Sequence, residues 1–265
     1  MHPFTELEVP RGSIGIHWFG QSSFALRSAA GEVVQIDPYF PAERPADTYL
    51  HRDPPLVEKD LPTDFVVVTH DHGDHTCAET IGRIAAASPA AHYVGPSESI
   101  EHIRRTVPSG AELTVVTAGD RCALGTMTLH AVWSKPPDGA PADGIDPPNV
   151  QHLGYVIDAE GVRVYVSGDP INTFAEHESL LAPIRALRPD VGLMTCHPNE
   201  GEFPFFEGSV KSAVEIGLRT AIPAHYQCFV KRNYDPADWA SHFPSNGPET
   251  LIVGYNESVV YRPPT

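Results

Sequence analysis

Four side chains that can bind a metal ion fall within six residues of this chain. The segment 69–75 reads Thr-His-Asp-His-Gly-Asp-His, and its candidate ligands are His70, His72, Asp74 and His75. Neutral imidazole and carboxylate are good ligands for Zn²⁺, Mn²⁺ and Fe²⁺, and Gly73 permits a tight turn between them. Chance produces this pattern at a frequency on the order of 10⁻³ or less. The segment predicts a metal-dependent active site, and the alternative is a polar loop with surface histidines.

Two later segments could each supply one more ligand from the end of a strand. The apolar run 162–166 is followed by Ser-Gly and then by Asp169, and the run 221–224 ends directly at His225. Taken alone, a Gly-Asp pair after a strand is more often a turn, and a terminal histidine is more often an ordinary strand end. Active sites are commonly placed at the ends of rigid strands. Together with the first cluster, the two segments predict one shared site.

The elements that must position these side chains alternate between strands and helices. Patterns of apolar residues predict strands at 14–19, 23–26, 33–37, 65–68, 92–94, 113–116, 127–133, 153–157, 162–166, 191–195, 221–223, 251–253 and 259–261. Helices are expected from 76, over 97–105, around 174–181 and over 210–218, with Asp74 or Thr76 as the N-cap of the first. Segments 38–62 and 134–151 are rich in Pro and predict loops. Mixed strands and helices imply sheets covered by helices in one domain, 1–265.

The amino-acid composition limits the classes of molecule that we expect the protein to bind. The chain has 34 acidic against 18 basic residues, a net charge of −16, which disfavours binding to nucleic acid. Apolar runs are too short to span a membrane, and the N-terminal residues do not resemble a secretory signal. Four cysteines without a CxxC pair predict reduced thiols and a cytoplasmic location. We therefore expect a small-molecule substrate, no nucleic-acid or membrane partner, and a possible homo-oligomer.

The motifs together resemble the metallo-β-lactamase superfamily. The resemblance rests on His70-x-His72-x-Asp74-His75, then Gly168-Asp169, then Pro223-x-His225, and on the opening motifs Ile16-His17-Trp18-Phe19-Gly20-x-x-Ser23-Phe24 and Ile36-Asp37-Pro38. Segment 222–226 looks like the branch that contains L-ascorbate-6-phosphate lactonase. The resemblance covers nearly the whole chain. It implies an α/β (α+β) fold, the four-layer αββα sandwich, with the site at one edge of two packed sheets.

The same resemblance implies roles for the candidate ligands. His70 and His72 would bind one divalent ion, Zn²⁺ or Mn²⁺, and Asp74, His75 and His225 would bind a second. Asp169 would bridge the two ions. Water made acidic by the metals would be the nucleophile, oriented by Asp74 or Asp169. No Ser-His-Asp or Cys-His motif suggests a protein nucleophile instead.

Two positions depart from the pattern of the superfamily. Many members carry a histidine at the end of the strand that precedes the Asp169 hairpin, where this chain has Trp133. His130 is nearby but is expected to point to the opposite face of its strand, so we predict that His152 takes over as the metal ligand. The second departure is Gln21, at a position where a histidine often follows the glycine.

Three further residues are expected to contact the substrate, and the reaction is left between alternatives. His197, Asn199 and Glu200 follow the strand 191–195, although an ordinary polar loop end is an equally good interpretation. Lys231 and Arg232 could pair with a phosphate, but a solvated charge pair is the better supported interpretation. We expect a lactonase-like hydrolase. The alternatives are a phosphodiesterase acting on a cyclic nucleotide or phospholipid-like substrate, and a metal-binding scaffold without catalysis, which metal content and ester turnover would separate.

Overall fold

Two seven-stranded sheets form the centre of the protein in a computed structural model, which describes residues 1–141, 144–199 and 203–264. The first sheet contains β1 (Ile14–Trp18), β2 (Phe24–Arg27), β3 (Val33–Ile36), β4 (Phe65–Val67), β5 (His92–Gly95), β6 (Glu112–Val115) and the last strand of the chain, β14 (Glu257–Tyr261), which pairs with β1. The second sheet contains β7 (Arg121–Leu124), β8 (Met127–Trp133), β9 (Leu153–Ala159), β10 (Val162–Val166), β11 (Val191–Thr195), β12 (Thr220–Ala224) and β13 (Glu249–Thr250). Their spatial orders are β14-β1-β2-β3-β4-β5-β6 and β13-β12-β11-β10-β9-β8-β7.

Helices cover the outer face of each sheet. The α-helices are α1 (Ala78–Ala87), α2 (Ser97–Arg104), α3 (Glu178–Leu187), α4 (Phe206–Ile216) and the short α5 (Pro236–Ala240). Apolar residues of α1 and α2 form a core with β4 and β5 of the first sheet. Those of α3 and α4 join the larger core that fills the space between the sheets and beneath these helices. The expected four-layer αββα arrangement is confirmed.

Strand β4 illustrates how the sequence determines this layering. Val67 faces the core between the two sheets, whereas Val66 and Val68 face the core under α1 and α2. All three side chains are fully buried, and removing each from water stabilises the fold by about 1.5–3 kcal/mol. A strand covered on both faces requires a continuous apolar run, which is what the sequence has before His70.

Strand direction determines which residues meet at one edge. Strand β4 runs parallel to β3 and β5, and β10, β11 and β12 are parallel to one another. The residues that follow β4, β10 and β12 therefore leave their sheets at carboxyl ends. Strand β9 is antiparallel to β10, with Tyr155 opposite Val166. The start of β9 consequently lies at the same edge as the end of β10.

Some local predictions were wrong. The predicted strand 251–253 is replaced by β13 at 249–250, because only the Leu251 amide continues the pairing, to the Ala221 carbonyl at 2.9 Å. Neither Asp74 nor Thr76 caps α1. That helix is preceded by Cys77, which makes no side-chain cap. The carboxylate of Asp74 accepts a hydrogen bond from Gln21, and the hydroxyl of Thr76 donates to the His70 carbonyl, so both side chains are engaged at the site. Strand β7 and helix α5 were not predicted from the sequence.

The predicted loop 38–62 is anchored to the domain by buried apolar side chains. It contains a 3₁₀ helix, Glu58–Asp60, and an isolated bridge between Tyr49 and Phe229. Phe40, Leu56 and Leu61 form a separate apolar cluster with Phe4 and Phe19. The segment is therefore held against the first sheet. All four cysteines are free thiols, and among the described residues no helix has the length and apolar character to span a bilayer.

Candidate metal centre

Seven side chains meet at the edge where the strand ends converge. Their donor atoms form three overlapping groups, and within each group the atoms lie within 4.8 Å of one another. The groups are His70, His72 and His152; His70, His75 and Asp169; and Asp74, His75 and His225. These are the seven residues that the sequence predicted as metal ligands. The structure brings all of them together, and their binding of a metal stays a prediction.

Asp169 lies at the centre of the cluster. Its Oδ2 atom is 3.3 Å from His75 Nε2, 3.7 Å from His70 Nε2 and 3.8 Å from His225 Nε2. Burial raises the pKa of Asp169, but His75 and His225 outweigh this effect and hold the pKa well below its usual value. The carboxylate is therefore ionised. Asp169 Oδ2 thus lies close to histidines of different groups. A residue that bridges two metal ions would have this position.

The turn that delivers Asp169 depends on Gly168. This glycine has a positive φ of 59°, in the left-handed region that disfavours side chains. A Cβ added to it would lie 2.5 Å from the carbonyl oxygen of Leu153. A glycine is therefore required directly before Asp169, because β9 and β10 approach too closely there to leave room for a side chain.

His152 lies beside the predicted ligands His70 and His72. Trp133, at the end of β8, pairs with Leu153 at the start of β9, so His152 directly precedes the residue that is paired with Trp133. Its ring stacks on His70 with centroids 4.1 Å apart. Burial, and then the charge of Lys135, lower the pKa of His152 to about 3, so its imidazole is neutral. His130, on β8, instead lies beside Arg121, its pairing partner on β7.

Several buried polar atoms of the cluster have no hydrogen-bond partner among the described residues. They are His75 Nε2, both ring nitrogens of His152, Asp169 Oδ1, His225 Nδ1 and Gln21 Oε1. Buried polar groups are ordinarily hydrogen-bonded, and most of these atoms belong to imidazole or carboxylate, which are good ligands for divalent cations. The residues present therefore fit a divalent metal ion.

His75 is held from behind by Asp37. Its Nδ1 atom is 2.8 Å from Asp37 Oδ2, and both side chains are fully buried. The backbone amide and the hydroxyl of Thr69 both donate to the Asp37 carboxylate, each at 2.7 Å. Burial alone would lower the pKa of His75. The charges of Asp169 and Asp37 outweigh burial and raise this pKa well above its usual value. Asp37 was not predicted as a site residue from the sequence, although an acidic residue directly after β3 was the signal.

The remaining histidines of the first group differ in exposure. His70 is fully buried, and burial followed by the neighbouring His75 lowers its pKa well below its usual value. His72 is partly exposed. Its Nδ1 atom lies 3.1 Å from His70 Nε2, and its Nε2 atom lies 3.2 Å from the side-chain oxygen of Asn149 in the loop 134–151. That loop therefore borders the first group.

A cleft of about 870 Å³ opens beside Asp74, which forms a group with His75 and His225. Asp74 and Gly73 belong to its lining. The remaining lining residues are aromatic, polar or charged: Tyr39, Asp47, Thr48, Phe229, Lys231 and Arg232. The Arg232 guanidinium also lies over the ring of Phe203, 5.4 Å from its centroid, and that ring contacts His225. Basic and aromatic side chains thus border the approach to Asp74.

Two of the three predicted substrate residues, His197 and Asn199, are described, and they lie away from this cleft. His197 is buried, and its Nδ1 atom accepts a hydrogen bond from the backbone amide of Asn199 at 3.4 Å. The side chain of Asn199 is exposed. Neither residue lines the cleft over Asp74, and Glu200 lies outside the described residues. Their contact with a substrate stays a prediction.

Known proteins share both the sequence pattern and the fold. The family described as "Beta-lactamase superfamily domain" matches residues 33–226. A UPF0173 metal-dependent hydrolase of Rubrobacter xylanophilus is 26% identical over 247 residues, which cover 91% of this chain and 93% of the relative. Igni18, a metallo hydrolase of the archaeon Ignicoccus hospitalis, superimposes with a TM-score of 0.70 at 20% identity and covers 94% of this chain and 98% of its own. An isothiocyanate hydrolase from Delia radicum gut bacteria gives a TM-score of 0.68 at 16% identity, over 94% and 99% of the two chains.

Proposed function

The chain belongs to the metallo-β-lactamase superfamily of metal-dependent hydrolases, and we propose that it hydrolyses a small molecule with a lactone or phosphoester bond. The observation that carries the proposal is the convergence of three groups of donor atoms around Asp169. The ligands come from strand ends of both sheets, where a rigid scaffold fixes their positions. Of the two bond types, the lactone is our first choice.

The seven ligands divide into two metal positions in this proposal. His70, His72 and His152 would hold the first ion, and Asp74, His75 and His225 would hold the second, with Asp169 able to contact both. A divalent cation bound there would polarise the scissile bond and lower the pKa of water from 15.7 to about 7. Zn²⁺ and Mn²⁺ both suit a donor set of imidazole and carboxylate.

The two carboxylates have different tasks in the proposed reaction. Asp169 is buried and ionised, and its low pKa makes it a weak base, which suits a ligand that orients water by accepting a hydrogen bond. Asp74 lines the cleft, where a substrate can reach it. Its carboxylate is the group to which we assign the proton of the attacking water.

The cleft supports a small and anionic substrate. Its volume of about 870 Å³ is within the range of small-molecule sites. On a chain with a net charge of −16, Lys231 and Arg232 line the cleft that also contains the proposed ligand Asp74. Basic side chains bind phosphate and carboxylate groups through charge-assisted hydrogen bonds. A lactone that carries such a group fits these features.

The second candidate is hydrolysis of a phosphodiester, such as a cyclic nucleotide or a phospholipid-like molecule. The same basic pair supports it, because the charge on the scissile phosphate itself would lie between the metal positions and Lys231. A metal-binding scaffold without catalysis remains the alternative of a different class. It has less support, because His152 joins His70 and His72 in a group of three closely spaced donor atoms.

The test is a substrate panel under control of metal content. Metal-free protein would be refilled with Zn²⁺ or Mn²⁺ and offered lactones with and without a phosphate, phosphodiesters and phosphomonoesters. We expect turnover of the phosphorylated lactones, its loss with a chelator and its return on refilling. Turnover that survives complete metal removal would contradict the proposal. Full metal occupancy without turnover of any compound would favour the scaffold.

A further inference from the structure

Gln21 is held by its backbone at the boundary between the two sheets. It follows β1, and its φ of 54° lies in the left-handed region, which costs a residue with a side chain about 1–2 kcal/mol. Its amide donates to the Tyr226 carbonyl at 2.8 Å, and its own carbonyl accepts from the His225 amide and the Trp18 indole, each at 3.0 Å. The surrounding fold therefore fixes this unfavourable conformation and determines where the side chain points.

The side chain of Gln21 points towards Asp74 and His225, two ligands of the proposed second metal position. It is 1% exposed. The carboxamide Nε2 lies 2.8 Å from Asp74 Oδ2 and 2.9 Å from His225 Nε2, so one nitrogen contacts both outer donors of the proposed second metal position. The carboxamide Oε1 is buried and has no hydrogen-bond partner among the described residues. Leaving such an oxygen unsatisfied costs about 1–3 kcal/mol.

The two ends of a carboxamide have almost the same shape. Rotation by half a turn about the Cγ–Cδ bond exchanges Oε1 and Nε2 with little displacement of other atoms, and hydrogen bonding decides between the two states. In the orientation described, the NH₂ group satisfies Asp74. A cation beside Asp74 and His225 reverses that preference, because a cation attracts a carbonyl oxygen and repels NH₂ hydrogens. Donor atoms that share a cation at bonds of about 2.1 Å are roughly 3.0–3.4 Å apart, a few tenths of an ångström more than the 2.8 and 2.9 Å spacings that Nε2 already has.

We propose that Gln21 is a further ligand of the second metal position. Without metal, its NH₂ group links Asp74 to His225. With metal, the carboxamide turns and Oε1 joins Asp74, His75, His225 and the bridging Asp169, which gives two nitrogen and three oxygen donors. Side-chain amide carbonyls are established ligands of hard cations. The inference rests on the proposed metal-dependent function.

The competing interpretation has the opposite consequence for metal binding. If the carboxamide only linked Asp74 to His225, it would compete with the cation, and its removal would strengthen binding. If Oε1 is a ligand, its removal weakens binding at the second position. The sign of the change in affinity therefore separates the two interpretations.

The experiment is a calorimetric titration of metal-free protein with Zn²⁺, with metal content measured after dialysis. The variants are Gln21→Leu, which removes both ends of the amide, and Gln21→Glu, which keeps an oxygen donor. Gln227→Leu is the matched control, because Gln227 also has a left-handed φ, 56°, but its side chain bonds to His51. Circular dichroism of the metal-free variants checks the fold.

We expect Gln21→Leu to weaken the second binding event about 10–100-fold, with the first event and the Gln227→Leu protein unchanged. Gln21→Glu should bind the second ion at least as tightly as the wild type. Unchanged or tighter binding by Gln21→Leu would overturn the proposal. So would equal losses in both Gln21 variants, or a wild-type protein that binds one ion with an affinity insensitive to Gln21. A wild type that binds no metal would refute the proposed function as well, which distinguishes the two failures.

Discussion

His75 and Asp37 form a buried pair in which imidazole Nδ1 lies 2.8 Å from carboxylate Oδ2. The other ring nitrogen, Nε2, faces Asp169, so Asp37 fixes both the orientation of the ring and the nitrogen that is free to bind a cation. Carboxylate partners of ligating histidines commonly change metal affinity by 10–100-fold. The pair therefore makes Asp37 a positioning residue of the proposed site.

Replacing Asp37 should weaken metal binding without removing a ligand. Asp37→Asn retains the shape of the side chain but lowers its strength as an acceptor from His75, so we expect Zn²⁺ affinity to fall about 10–100-fold. Calorimetric titration would measure the change. Asp64→Asn is the control, because Asp64 accepts a hydrogen bond from the Val33 amide on the same sheet but has no contact with the cluster. Unaltered affinity in Asp37→Asn would show that His75 is oriented by its packing alone.

Replacing Asp169 should abolish turnover while the domain survives. Asp169→Asn removes the negative charge shared by His75, His70 and His225, so metal affinity and activity should fall on the order of 10²-fold or more, and metal content after dialysis should fall with them. Metal analysis and turnover of the best substrate of the panel would measure both. Asp158→Asn removes an ion pair with Arg163 on the same sheet and should leave metal content unchanged. Normal metal occupancy in Asp169→Asn would rule out the bridging role.

His152 should act as a ligand of the first position. His152→Ala removes a neutral imidazole that faces His70 and His72, so one of two binding events should weaken and the other persist. His130→Ala is the matched control, since His130 lies three residues before Trp133 and outside the cluster. A metal-bound crystal structure gives the direct measurement. An imidazole of His152 more than about 4 Å from every ion, against ligand bonds of about 2.1 Å, would exclude this role.

Lys231 should contribute to substrate binding more than to the chemical step. Hydrogen bonds to charged groups contribute about 1.5–3 kcal/mol, and exposure of this side chain places the effect near the lower end. For an anionic substrate, Lys231→Ala should raise KM about tenfold and change kcat little. Lys211→Ala, which removes an exposed ion pair with Glu176, should change neither. An equal rise in KM for a neutral analogue would contradict recognition of the anion.

The stability of the fold should depend on pH through His17. Burial lowers the pKa of His17 to about 4, although Asn256 raises it slightly. The unfolded chain, with a pKa of 6.5, therefore binds more protons between these values. The stabilisation is complete above pH 6.5 and is lost as pH falls towards 4, by up to about 3 kcal/mol.

Urea unfolding at several pH values would measure this loss. His17→Gln should lose that part of the pH dependence between pH 6.5 and 4, whereas His242→Gln, at a partly exposed position, should retain it. Identical slopes in the wild type and His17→Gln would assign the pH dependence to other groups.

The sequence predicted the parts of the site that depend on strand ends. Apolar runs before His70, Asp169 and His225 indicated buried strands, and parallel strands bring their carboxyl ends to one edge. Trp133, at a position where a ligand was expected, also led to the prediction that His152 is a metal ligand. The two residues lie at neighbouring ends of paired strands. These inferences need only local periodicity and the geometry of sheets.

Other features depend on contacts between distant segments and could not be predicted. The carboxylate of Asp37 reaches His75 across a turn and a loop, and the carboxamide of Gln21 meets His225 only because the two sheets pack together. The same contacts explain why Asp74 is not a helix cap. Its carboxylate accepts a hydrogen bond from Gln21, and α1 begins after Cys77 without a side-chain cap. Strand β7 was missed because only Leu124 of its four residues is buried, so it has no run of buried apolar residues.

The division of the ligands between the two sheets has a consequence for how the protein is assembled. His70 and His75 follow a strand of the first sheet, whereas His152, Asp169 and His225 belong to the second. Neither sheet alone holds a complete donor set, so a high-affinity site exists only after both sheets have formed and docked. Binding of an ion by the proposed centre would therefore follow the docking of the two sheets and would favour chains that have completed it. During purification, metal content would thus report the fraction of correctly assembled protein.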